Sequence, residues 1–196
     1  MHVAVRARNA EMVALLLESG ANPNVQVDSK ESNDSPGATP LLLAVYYKLK
    51  PAILTLLKAK ADPAIAAADM HNSLHAAVVA PELLELLLEN QVSPNITNQT
   101  GATALHWAAR NRNLEAAKIL IKHGADINAT DQVGYTPLHS AAQAGDPETV
   151  RFLIANKANI NARNREGDPP LELARRVSSS ARYTIVEMLL QYGAAA

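Results

Sequence analysis

The residues best suited to acid–base or metal chemistry are the histidines, and their spacing argues against both uses. His106 and His139 are 33 positions apart, and a further step of 33 reaches Glu172. Upstream, His75 stands in the same local context, Leu42 lies 33 positions before it, and His2 opens the chain in an equivalent stretch. A general base or a metal ligand set is assembled once, from residues that converge. A histidine that returns at a fixed period belongs to a structural unit instead. His71 and His75 have the i, i+4 spacing of a helical metal pair, but His71 precedes the expected helix start, so the two share no helical face. The chain has no cysteine, which removes disulfides and thiol catalysis. Neither G-x-G-x-x-G, G-x-x-x-x-G-K, H-E-x-x-H nor G-x-S-x-G occurs. No cofactor and no metal site is therefore expected.

The elements that carry these histidines can be read from the recurring stretch GYTPLHSAAQAGDPETVRFLIANKANINA, residues 134–162, and its counterpart GATALHWAARNRNLEAAKILIKHGADINA, residues 101–129. Gly37, Gly101, Gly134 and Gly167 sit where a tight turn needs a positive φ. Thr39, Thr103 and Thr136 are good helix N-caps, and Pro40 and Pro137 occupy the first helical position, where a missing N–H costs nothing. Gly145, Pro147, Pro51 or Pro81 ends that helix within about ten residues. A second helix follows, with apolar residues at helical spacing: Val13, Leu16 and Leu17; Ile53, Leu56 and Leu57; Val150, Leu153 and Ile154; Val186, Leu189 and Leu190. Gly20, Gly124 and Gly193 mark helix ends.

A turn with two short helices cannot bury its own apolar face, so such units must stack. Pairs such as Ala108 with Ala109 and Ala141 with Ala142 let neighbouring helices approach closely. At TPLHSAA, residues 136–142, the chain resembles the ankyrin-repeat family, whose T-P-L-H-x-A signature and 33-residue period it shares. The resemblance runs from end to end. It implies an all-α ankyrin-repeat solenoid: a right-handed stack of helix-turn-helix units with β-hairpin-like loops, about five and a half repeats forming one domain over 1–196. The repeat ranges are 1–24 (partial), 25–64 (with an inserted loop), 65–95, 96–128, 129–161 and 162–196. It further implies that the recurring histidine bridges turns by hydrogen bonds.

The function implied by the resemblance is a non-enzymatic scaffold that holds a protein or peptide on the surface formed by hairpin tips and first helices. Carried over position by position, the contact candidates are Tyr46, Tyr47, Trp107, Arg110, Tyr135, Gln143, Arg163, Arg165, Arg175 and Arg176. Tyr, Trp and Arg are the types enriched at interface hot spots. Plain inter-repeat packing is the competing use of the same rings, Trp107 above all. The four arginines at the C-terminal end suggest an acidic guest, against the alternative of internal ion pairs with Glu166 and Asp168. Two other readings stand beside the scaffold: a targeting or autoinhibitory module of a larger enzyme or secreted bacterial effector, and a nucleic-acid or acidic-ligand binder working through those arginines.

Composition narrows the field. Net charge is -1, so no global field draws the chain to nucleic acid or an anionic membrane. Aromatic residues make up 4% against a hydrophobic share of 48%, so the core must be built from Ala and Leu. No apolar run approaches the length of a membrane span. A monomer in the cytoplasm is expected, with nuclear or host-cell delivery left open. The stretch VQVDSKESNDSP adds seven residues to one hairpin, read as a surface loop or a partner-specific finger. Val3, Val5, Val13 and Leu16 are expected to meet an absent neighbour, as though the array continued upstream.

Overall fold

The computed structural model describes residues 1–28 and 35–195 and forms twelve helices among them, with no strand. Within the inserted stretch VQVDSKESNDSP, residues 29–34 lie outside this set, and so does the part of the loop reading that falls on them. The helices come in pairs: α1 (His2–Arg6) with α2 (Ala10–Glu18), α3 (Pro40–Tyr46) with α4 (Lys50–Lys58), α5 (Ser73–Ala77) with α6 (Pro81–Glu89), α7 (Ala104–Arg110) with α8 (Leu114–Lys122), α9 (Pro137–Ala144) with α10 (Pro147–Ala155), and α11 (Pro170–Arg175) with α12 (Ala181–Gln191). They fall into two compact units, Met1–Gln99 and Thr100–Ala196.

Each first helix begins where the sequence demands. Thr39 Oγ1 accepts the Leu42 N–H at 3.2 Å, and Pro40 and Pro137 stand in the first turn of α3 and α9. In α5 an asparagine takes the threonine's place, with Asn72 Oδ1 accepting the N–H groups of Leu74 and His75. Second helices are capped by residues that the apolar pattern did not reveal: Asn9 accepts from Met12 N–H at 2.9 Å and Asn113 from Ala116 N–H at 3.0 Å. Each such cap satisfies an N–H that the first turn leaves without a helical partner, worth about 1 kcal/mol.

In the first helices from α3 onward a leucine is the constant core residue. Leu41, Leu74, Leu105, Leu138 and Leu171 are fully buried, and burying such a side chain stabilises by roughly 1.5–3 kcal/mol. Ala108, Ala109, Ala141 and Ala142 are fully buried too, as expected where α7 packs on α9. Against expectation, Val5 and Val13 are completely buried, because α1 and α2 turn these residues inward as they pack on α3 and α4. Val3 is exposed, as expected, and Leu16 is half-buried; the other exposed apolar residues of this pair are Met12 and Leu15. At the other end Leu189 is buried, as its spacing predicts, while Val186 is half-buried and Leu190 exposed; Ile185 and Met188 complete the buried face of α12.

All eight glycines adopt positive φ, including Gly20, Gly124 and Gly193 just past helix ends. Glycine is not obligatory at that last place, since Lys60, Gln91 and Lys157 hold the same left-handed turn with φ between 61° and 70°. That substitution is why the helix ends of those repeats carry no sequence signal.

Candidate functional site

The hairpins that would present partner-binding residues are built the same way in each unit. In the second unit Asp131 N–H donates to Tyr135 O and Gly134 N–H to Asp131 O; one repeat on, Asn164 N–H donates to Asp168 O and Gly167 N–H to Asn164 O. Successive hairpins are tied by single backbone bonds, Gln132 N–H to Thr100 O at 2.9 Å and Arg165 N–H to Val133 O at 3.0 Å. In the first unit Ala68 N–H reaches Pro36 O at 2.8 Å. The approach is close: a Cβ on Gly134 would meet the Arg165 nitrogen at 3.0 Å and the Asn164 Cα at 3.1 Å.

The recurring histidines lock this arrangement from beneath. His106 Nδ1 accepts the Thr103 N–H at 3.2 Å, and its Nε2–H donates to Tyr135 O at 2.9 Å. His139 repeats both contacts with Thr136 and Asp168. His2 Nε2–H donates to Ala38 O at 3.1 Å. A ring that accepts at one nitrogen and donates at the other is neutral. Burial is the main cause that pushes the His2, His106 and His139 pKa values below the ordinary 6.5, opposed by the hydrogen bonds each makes to backbone carbonyls. Among the described residues no group of three His, Cys, Asp or Glu side chains could hold a metal ion.

The sequence-predicted contact residues fall into different states. Tyr46, at the end of α3, is 40% exposed. Its hydroxyl donates to Asp69 Oδ2 at 2.9 Å and lies 3.3 Å from His71 Nδ1. Burial, with the Asp69 acceptor and its charge, raises the Tyr46 pKa, so the hydroxyl stays a neutral donor. Asp69 is also burdened by burial, yet the His71 N–H and Tyr46 hydroxyl outweigh it and hold the carboxyl below the usual range. Tyr47 and Trp107 are half-buried, Trp107 lending its carbonyl to the Asn111 side chain at 2.8 Å. Arg110 and Gln143 are exposed on α7 and α9.

Three of the four C-terminal arginines are engaged within the chain. Arg163 Nη1 donates to Gly167 O at 2.7 Å, Arg175 pairs with Glu172, and Arg176 Nη2 meets Asp168 Oδ2 at 2.8 Å. The internal ion pairs weighed from the sequence are thus present, with Glu172 in the place assigned there to Glu166. Arg165 is different. Its side chain is exposed, and with Val133, Tyr135, Asn164 and Glu166 it lines a cleft of about 230 Å³ between adjacent hairpin tips. The Tyr135 ring forms one wall and is stacked on His139, 5.4 Å between centroids.

Asn164 is the residue that sequence reasoning missed. It is 94% buried, being 6% exposed. Its Oδ1 accepts the N–H groups of Glu166 and Asp168, both at 2.9 Å, whereas its Nδ2 is buried with no hydrogen-bond partner among the described residues. In the preceding repeat Asp131 Oδ1 holds the turn in the same manner, accepting from Val133 and Tyr135. The sequence signal was the aspartate-to-asparagine change at one slot of two otherwise similar hairpins.

Paired short helices joined by bonded hairpin turns, with histidines bridging successive turns and a cleft at the turn tips, define an all-α repeat protein of the helix-turn-helix solenoid class. Residues 64–131 match the family model for ankyrin repeats in three copies, residues 120–174 that for ankyrin repeats in many copies, and residues 1–28 that for the single ankyrin repeat. Together these cover more than half of the chain, and the chain belongs to the ankyrin-repeat family. Among its relatives is the neurogenic locus notch homolog protein 1 of Danio rerio, 32% identical over 125 residues that make up 61% of this chain and 5% of the relative. The protein of the same name in Homo sapiens is 30% identical over 125 residues, 61% of this chain and 4% of the relative. The chain thus aligns with about 5% of the length of the curated relatives it matches. Ankyrin repeats are generally protein–protein interaction modules. No described helix is long and apolar enough to cross a membrane.

Proposed function

We propose that this chain is a non-enzymatic interaction module that holds a protein or peptide against the hairpin tips and first helices of its second unit, with the cleft between Val133 and Arg165 as the anchoring point. The observation that carries this reading is the side-chain amide of Asn164, buried at that cleft without a partner. An unpartnered buried donor costs about 1–3 kcal/mol, a cost that a guest acceptor could relieve on binding. Arg165 adds an exposed guanidinium, while Val133 and Tyr135 supply apolar surface. A preformed surface of this kind binds without a large ordering cost. The nucleic-acid reading is weakened, because Arg163, Arg175 and Arg176 are already held by acceptors of the chain itself. A cytoplasmic setting belongs to the same proposal and rests on the ankyrin resemblance.

The experiment is affinity capture from a lysate of the source organism with the native chain, a Val133→Ser/Arg165→Ala variant and an Arg175→Ala variant, read by mass spectrometry. A protein retained by the native chain and by Arg175→Ala but lost by the cleft variant supports the proposal. Identical capture by all three folded chains removes the cleft from consideration.

A further inference from the structure

The longest connection between paired helices is built largely of hydroxyl residues. Two or three residues join the helices of the first five pairs, but five, residues 176–180, join α11 to α12. Ser178, Ser179 and Ser180 follow one another there, and all three are exposed. Val177, half-buried, anchors the start of the connection: its Cγ1 lies 2.9 Å from the Cβ position that Gly145 leaves empty. The serines are thus held at the surface just beyond a fixed point.

Charge singles out one of them. Of all the serines and threonines in the chain, Ser178 alone has arginine both two and three positions before it, Arg176 and Arg175. No acidic residue lies within five positions of it on either side. Protein kinases choose their substrates by such charge patterns, and those of the basophilic class hold paired arginines ahead of the acceptor with carboxylates of their own. Both arginines can be released to such an enzyme. Arg175 pairs with Glu172 one turn back and Arg176 with Asp168, through side chains 44% and 59% exposed. Exposed ion pairs are weak, and α11, with six residues, owes its stability to packing rather than to its own hydrogen bonds. Unwinding its last residue, Arg175, need not disturb Leu171, Leu173 and Ala174, the buried residues before it.

We propose that Ser178 is the phosphoryl acceptor for a basophilic serine protein kinase, which selects it through Arg175 and Arg176. A carboxylate of the kinase takes the Oγ proton as Oγ attacks the γ-phosphorus of a bound nucleoside triphosphate. The Oγ–P bond forms, the bond from that phosphorus to the oxygen bridging the β-phosphate breaks, and the nucleoside diphosphate leaves. The product carries about −1.5 to −2 charge. It stands within three residues of both arginines and at the entry to α12, whose first turn has neither a side-chain cap nor an acidic residue.

The test treats the folded chain with the catalytic subunit of cAMP-dependent protein kinase, a basophilic enzyme, and magnesium ATP, and maps the product by mass spectrometry. One phosphoryl group on Ser178 is expected in the native chain and none in Ser178→Ala. Arg175→Ala/Arg176→Ala should lower kcat/KM by roughly a hundredfold or more, the worth of two hydrogen bonds to charged groups. Thermal melts establish that the variants are folded under the assay conditions. Ser178→Ala changes one exposed side chain and keeps the site testable even if the double variant is unstable. A folded native chain left unmodified, phosphate placed on another residue, or a rate unchanged by the loss of both arginines would each overturn the proposal.

Discussion

His139 and Asp168 are joined across a repeat boundary: the imidazole Nε2–H donates to the Asp168 carbonyl at 3.1 Å, while Nδ1 accepts the Thr136 N–H at 3.1 Å. The ring therefore holds two turns at once and must be neutral to do so. Protonation would set an Nδ1–H against the Thr136 N–H, a conflict that adds to the burial already lowering this pKa.

The consequence is an acid-sensitive fold. His2, His106 and His139 all have folded-state pKa values below 6.5, so the unfolded chain binds more protons just beneath that value. Their stabilisation is fully present above about pH 6.5 and is lost as pH falls toward the folded-state values. The urea midpoint is expected to drop between pH 7.5 and pH 5.5, and NMR titration should place the His106 and His139 midpoints below 6.5. Midpoints at or above the ordinary value would contradict the neutral bridge. His106→Ala, which leaves the Thr103 N–H and the Tyr135 carbonyl without this partner, should cost about 1–3 kcal/mol.

Tyr46 tests whether an exposed ring can be read as free. Its hydroxyl is committed to Asp69 at 2.9 Å. Tyr46→Phe removes one of the donors holding the Asp69 carboxyl below its ordinary 3.8, so the carboxyl midpoint should rise when followed by carbon NMR. A depressed carboxyl stabilises above its unfolded value and loses that contribution as pH falls through the folded one. In the variant this acid loss should therefore be smaller and complete at a higher pH, since it sets in near the unfolded value in both chains. The partly exposed bond limits the effect at neutral pH to about 1 kcal/mol or less. An unmoved Asp69 titration would show that His71 and Ser35 set it without the tyrosine.

What the sequence revealed and what it hid divide by distance along the chain. Thr39, Gly134 and Leu153 act within their own turn or helix, so their types announced the cap, the positive φ and the core position. The histidine bridge spans 29 positions at both His106 and His139, and only family resemblance supplied it. Tyr46 finds its acceptor 23 residues away, which no local pattern encodes. The same holds for the asparagine ties, Asn24 Oδ1 to Asp62 N–H at 2.7 Å and Asn128 Oδ1 to Asn159 N–H at 2.8 Å. Arg176 was legible as one of four arginines that could pair with Asp168, but not as the one that does. Val5 and Val13 were misassigned because an apolar helix stripe says that a face is buried, not which neighbour buries it.

The core predicts a conventional loss. Leu153 and Leu189 are both fully buried in second helices, so replacing either by Ala should destabilise by about 2–5 kcal/mol, as large-to-small core changes do. Leu190→Ala, one position along α12 but 43% exposed, should cost clearly less than Leu189→Ala. Equal losses in chemical denaturation would mean that the rotation of α12 about its axis is misplaced.

Two hairpin glycines separate backbone strain from crowding. Gly134 and Gly167 have nearly the same left-handed conformation, φ +80° and +86°, so alanine at either pays the strain of an L-residue there, roughly 1–2 kcal/mol. Only Gly134 faces a neighbour: a Cβ would press on Arg165 N at 3.0 Å and Asn164 Cα at 3.1 Å, whereas Gly167 has nothing within 4 Å. Gly134→Ala must therefore push the next hairpin away and weaken the Arg165 N–H to Val133 O bond. It should be the more damaging change in urea denaturation, and faster hydrogen exchange at the Arg165 amide should accompany it. Equal stabilities and an unaltered Arg165 amide would show that the hairpins can separate freely, and the cleft between Val133 and Arg165 would then not be a preformed site.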